Sequence, residues 1–171
     1  MELRSVEELM DLLYACRGVP DTPAGTPGDA PAGASAGTRT RGGAPAPGGP
    51  PVDLHDHALR TAALLRRSRP ADKELQVTAL VRPIGRLLRP GDPAGRAERA
   101  AEAVRSLLGE RVAGLLRRHP WSAGPADDDV FSLRHADEES RTASFDAGVL
   151  EDWRTVLELL AARNSRLGAV D

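Results

Sequence analysis

The sequence predicts an all-α protein, and three observations carry that expectation. Apolar residues recur every three or four positions along most of the chain, side chains able to cap helices stand ahead of these runs, and no stretch shows sustained period-two alternation with β-branched residues. The expected architecture is a single bundle of about five to six helices with a long disordered loop after the first helix. It divides into residues 1–17 as the first helix of the bundle, 18–51 as a flexible linker and 52–171 as the remaining helical domain.

Ser5 can cap the first helix, in which Val6, Leu9, Met10, Leu13 and Tyr14 repeat at helical spacing and call for a partner surface. After Arg17 the composition changes to Gly, Pro, Ala, Thr and Ser through residue 51. Such a stretch buries too little apolar surface to offset its ordering entropy, and its prolines and glycines exclude both helix and central strand. A second helix is expected from Leu54 to about Arg67, carrying Ala58, Leu59, Ala62 and Leu65. The apolar run from Leu75 to Leu88 contains Pro83, which lacks an amide donor and clashes with the carbonyl four residues earlier. A kink or a fresh helix is expected there. A long pattern from about Ala97 to Arg118 is broken or bent near Gly109. The last helix begins near Gly148, with Asp146 as its cap and Val149, Trp153, Val156, Leu157 and Leu160 along one face.

Composition limits the functions available. The 171 residues suit one domain, and 40% hydrophobic content with 3% aromatics means a core built mainly from Leu, Val and Ala. Formal net charge of -2 removes the attraction to phosphate backbones on which a nucleic-acid binder relies. Lys73 is the sole lysine among many arginines, a bias expected of a GC-rich bacterial genome. Cys16 stands alone, which excludes an intramolecular disulfide and a cysteine-rich zinc site. No run approaches the roughly 20 apolar residues that span a bilayer, and the acidic N-terminus lacks a basic region followed by an apolar core. The expectation is a soluble cytoplasmic protein without nucleic-acid or membrane partners.

Two histidines stand out. His57 shares a helix face with Leu54, Thr61 and Leu64, while His119 continues the line of Leu108, Val112 and Leu115. Each can be a core histidine satisfied by a hydrogen bond. Two inward histidines on separate helices are also what a metal site in a bundle core requires. His55 and His135 point elsewhere, and the run Asp127–Asp129 reads as solvated loop carboxylates. No His-Glu-x-x-His, EF-hand, phosphate-loop or nucleophile-elbow motif is present.

The serial order "HDHALRTAALL", "ELQVTALVRPIGRLL", "AAEAVRSLLGERVAGLLRRH" and "LRHADEES...FDAGVLEDW" resembles the HD-domain superfamily. Within it, the chain is most similar to the branch of di-iron oxygenases that process phosphonates and inositol. The resemblance implies an HD-like helical bundle. It places His57 on the first metal ligand, His119 on a later histidine and Asp137 on the final aspartate. Arg82 and Pro83 stand where the family has its His-Asp doublet, Arg86 replaces the next histidine, and Arg96 is the best match for another. Guanidinium stays protonated and has no lone pair to donate, so His57, His119 and Asp137 remain as residual ligand candidates only.

Two readings follow from that resemblance. In the first, the chain is a non-catalytic HD-like pseudoenzyme serving as a binding or partner module, with no cofactor. It takes either a protein partner or a small anion held by Arg82, Arg86 and Arg96. In the second, it is a metal-dependent oxygenase or phosphohydrolase with a reduced site, in which His57, His119 and Asp137 hold one iron or manganese ion. The arginines can also turn outward or pair with Glu98, Glu102 or Asp137.

Overall fold

A computed structural model describes residues 2–20, 52–119, 121 and 127–169. The described residues are all-helical, with no strand among them. The elements are α1 (Val6–Ala15), α2 (Leu54–Ser68), α3 (Lys73–Val81), α4 (Ile84–Leu88), α5 (Arg96–Leu108), α6 (Glu110–Arg117), α7 (Asp128–Thr142), a 3₁₀ turn (Leu150–Trp153) and α8 (Arg154–Gly168). Residues 21–51, most of the expected linker, lie outside the described residues.

Local chemistry explains most of the boundaries. Ser5 caps α1, its hydroxyl accepting the Glu8 amide at 3.2 Å. Asp53 caps α2 by accepting the amides of His55 and Asp56, and Asp72 caps α3 through the amide of Leu75. The predicted interruption falls at Arg82 and Pro83, where α3 ends and the short α4 begins. At Gly109 the chain reverses. Its φ of 98° suits glycine, and α6 folds back along α5 so that Arg117 Nε reaches Glu98 at 3.1 Å. The single broken run expected from Ala97 to Arg118 is therefore a helical hairpin.

Two expectations need correction. The periodicity predicts no helix over residues 128–142, yet they form α7 (Asp128–Thr142), and Asp127, exposed to solvent as expected, is also its cap. The inward stripe of α7 is Leu133, Ala136, Asp137 and Ser140, half of it polar. Hydrophobic periodicity cannot register a helix whose buried face is made of hydrogen-bonding groups. Near the C-terminus, the carboxylate that holds the Val149 amide belongs to Asp152, at 3.1 Å, while Asp146 closes only the turn to Gly148. Val149 itself is exposed instead of lying on the buried face with Trp153 and Leu157.

One large core joins α1, α5, α6 and α8 through Leu9, Met10, Leu13, Val104, Leu108, Val112, Trp153 and Leu157. The partner surface called for by α1 is thus found inside the bundle. A smaller cluster of Leu65, Leu75, Leu115, Trp121 and Leu133 binds α2 and α3 to α7. Helices α2 and α7 run antiparallel, because His57 meets Asp137 while Arg69 meets Asp129 and Ser132. A strip of polar groups, with His57, Thr61 and Ser140 buried and Asp137 half-buried, joins α2 to α7.

Candidate functional site

The strip is assembled from four helices. His57 leaves α2 one turn after its cap and is fully buried. Its Nε2 lies 2.8 Å from Asp137 Oδ1 on α7. Arg82, at the end of α3, sits with NH2 3.8 Å from the same carboxylate oxygen and NH1 3.5 Å from His119 Nε2. His119 stands just past the end of α6, its ring edge-on to Trp121 at 4.9 Å. The residual candidates His57, His119 and Asp137 thus converge, and they do so around a guanidinium.

Asp137 is the electrostatic centre of this cluster. Burial alone raises its pKa. The hydrogen bond to His57 and the charges of Arg82 and Arg141 outweigh that effect and hold the carboxyl well below the usual carboxylate range. An ionised carboxylate can only accept, so the His57 nitrogen facing it carries the proton. On the other side of the ring, Ser140 Oγ is 3.0 Å from Nδ1 and 2.8 Å from the main-chain carbonyl of Asp137. Thr61 Oγ1 lies 2.9 Å from Ser140 Oγ and 2.8 Å from the His57 carbonyl. Each hydroxyl has one proton and two acceptors, which allows two complete patterns. Either Ser140 accepts from Thr61 and donates to Nδ1, or Ser140 accepts from both Nδ1–H and Thr61 and donates to the Asp137 carbonyl. Rotation of the Ser140 hydroxyl thus matches either a donor or an acceptor at Nδ1.

Sequence reasoning did not assign Ser140 or Thr61 to the site. Both stand at helical spacing from residues it did assign, Ser140 three after Asp137 and Thr61 four after His57, and that spacing was the available signal. Ser140, His57 and Asp137 have the composition of a nucleophile, base and orienter. Ser140 is fully buried, so no substrate carbonyl can approach its oxygen, and the trio is a structural network.

Arg141 also flanks the cluster, 3.5 Å from Asp137 Oδ2, whereas Arg86 and Arg96 make main-chain contacts elsewhere. Arg86 donates to the main-chain carbonyl of Pro20, beside the bridge pairing Pro20 with Asp53. Arg96 donates to the carbonyls of Arg89 and Pro90, at 3.3 and 2.8 Å, bracing the turn before α5. His55 is a buried histidine whose Nδ1 meets the Leu13 carbonyl at 3.0 Å, tying α1 to α2. His135 is exposed beside Glu139.

The arrangement does not fit a metal. Among the described residues no group of three or more His, Cys, Asp or Glu side chains is placed to hold an ion. The space between Asp137 and His119 is taken by the guanidinium of Arg82, which offers only donors. The protein is defined at this level as an all-α bundle with a His-Asp-Arg-His cluster, fully buried only at His57, at the junction of α2, α3, α6 and α7. Comparison with family models, with curated proteins and with solved structures finds no match. No helix among the described residues is long and apolar enough to cross a membrane.

Proposed function

We propose that the chain is a non-catalytic HD-like domain serving as a partner module, in which an internal cation takes over the role of a bound metal. What supports this reading is the position of Arg82. Its guanidinium lies between Asp137 and His119, two of the residues that the resemblance assigns to metal. A carboxylate buried among helices needs a compensating positive charge, and Arg82 supplies it from within the chain. The domain then folds without an exogenous ion and has no open coordination position at which to activate water or oxygen.

The anion-pocket form has less support, because each of its three arginines already engages an acceptor. Arg82 has Asp137, while Arg86 and Arg96 hold main-chain carbonyls. A small anion would have to compete with all of them.

Metal analysis of protein purified without chelators tests the proposal. The expected result is iron and manganese well below one equivalent, with no rise in Tm when either ion is added. Stoichiometric iron or manganese that disappears in His57→Ala would overturn it and favour the metal-dependent enzyme.

A further inference from the structure

We propose that the cleft between the α2–α3 turn, α6 and α8 docks an acidic segment of a partner protein that carries apolar anchors. The inference rests on the partner-module reading and names the surface and the chemistry that module would use.

The cleft encloses about 650 Å³ and is lined by Arg69, Pro70, Lys73, Arg111, Leu159 and Arg163, with Asp72 and Glu74 on the same wall. Its two acids are already paired from within. Arg111 NH1 holds Asp72 and Glu74 at 2.7 and 2.9 Å, and its NH2 reaches Asp129 at 3.0 Å. Arg69 adds contacts to Asp129 at 2.8 Å and Asp72 at 3.5 Å. The other two cations, set against the one excess carboxylate of that network, leave the cleft one net positive charge. Lys73 Nζ meets only the neutral Pro70 carbonyl, at 2.8 Å, and Arg163 has no ion pair among the described residues. Both therefore keep their charge available to an incoming carboxylate.

The apolar part has a matching layout. Leu159, Arg163 and Leu167 are spaced four residues apart and form one stripe along α8. The two leucines are 56% and 66% exposed, among the few large apolar side chains left in solvent. Leu160, buried beneath, supplies part of the cleft floor. A cation flanked by exposed leucines is complementary to a segment with a carboxylate flanked by apolar side chains. One net positive charge in a protein of net charge -2 is too little for a nucleic-acid backbone.

The test uses the full chain and a fluorescent, capped peptide of alternating Leu and Glu, with the Leu–Lys counterpart as control. Polarisation titrations should show saturable binding of the acidic peptide, weakening as salt is raised. Arg163→Glu should reduce affinity about tenfold or more and Leu159→Ser should also weaken it, both with Tm unchanged because the two side chains are exposed. Absence of saturable binding at millimolar peptide, equal binding of the basic peptide, or affinity indifferent to Arg163→Glu would overturn the inference. Binding to anionic vesicles in place of the peptide would do so as well. Metal content reports separately on the partner-module reading, so a metal-loaded chain that still binds the peptide through Arg163 would sink that reading and leave this surface standing.

Discussion

Replacing Asp137 with Asn tests the cluster directly, because it keeps the shape and an acceptor for His57 while removing the charge that faces Arg82. In the wild-type protein His57 has no exposed side-chain surface, and the side chains of Arg82 and Asp137 are only 13% and 16% exposed. Breaking one partner of a buried pair costs about 3–5 kcal/mol, since the remaining charge is left without compensation. The residual exposure of Arg82 and the presence of Arg141 place the expected loss near the lower end, about 3 kcal/mol. At this chain length each kcal/mol moves Tm by about 2–4 °C, so thermal unfolding followed by circular dichroism should show a drop of about 6–12 °C. The double variant Arg82→Met/Asp137→Leu, which removes both charges and fills the space, should recover most of the loss. The reasoning is refuted if Asp137→Asn lies within about 0.5 kcal/mol of wild type, the range of ordinary surface substitutions. It is equally refuted if the costs of the Arg82 and Asp137 changes simply add.

The same carboxylate fixes a pH dependence. Its pKa is depressed in the folded protein, so its contribution is fully present above the unfolded value of about 4 and is lost as pH falls from there toward the folded value. Urea unfolding at a series of pH values should show a steeper acid loss for wild type than for Asp137→Asn below about pH 4, and parallel curves above about pH 5. Two glycine substitutions should have opposite signs. A Cβ at Gly85 would run into the backbone carbonyl of Arg96 where α4 packs on α5, so Gly85→Ala should lower stability by about 1–3 kcal/mol. Gly114 meets nothing within 4 Å inside α6, and Gly114→Ala should raise stability by about 0.5–1 kcal/mol in the same denaturation assay. The Cys16 thiol is fully buried, and burial pushes its pKa up to about 12. A thiol reagent at pH 8 should label the denatured chain rapidly and the native chain only at the rate of opening. Equal rates would contradict the burial of the C-terminal end of α1.

Much of the fold was legible in the sequence because its determinants are local. Ser5 before an apolar repeat, Pro83 within one and Gly109 between two each act on the backbone within one turn, and each produced the expected start, interruption or break. The all-α class followed from periodicity in the same way. The buried position of His57 was legible too, from its apolar helix neighbours, whereas Asp137 was singled out only by the resemblance to HD-domain proteins. Helix α7 was missed because its buried stripe is polar, so its pattern has meaning only once His57 is across from it. The direction of the chain at Gly109 was not in the pattern either. A glycine permits a positive φ, but whether the next helix continues or returns depends on which faces pack.

The fate of the arginines was decided by tertiary structure alone. Arg82, Arg86 and Arg96 look equivalent as letters, three cations that the resemblance sets at metal-ligand positions. Only the folded chain separates a largely covered guanidinium between Asp137 and His119 from two that brace main-chain carbonyls. The physical reason is range: propensity, capping and proline effects act across a few residues, whereas the partner of a charge is set by elements brought together from distant parts of the chain.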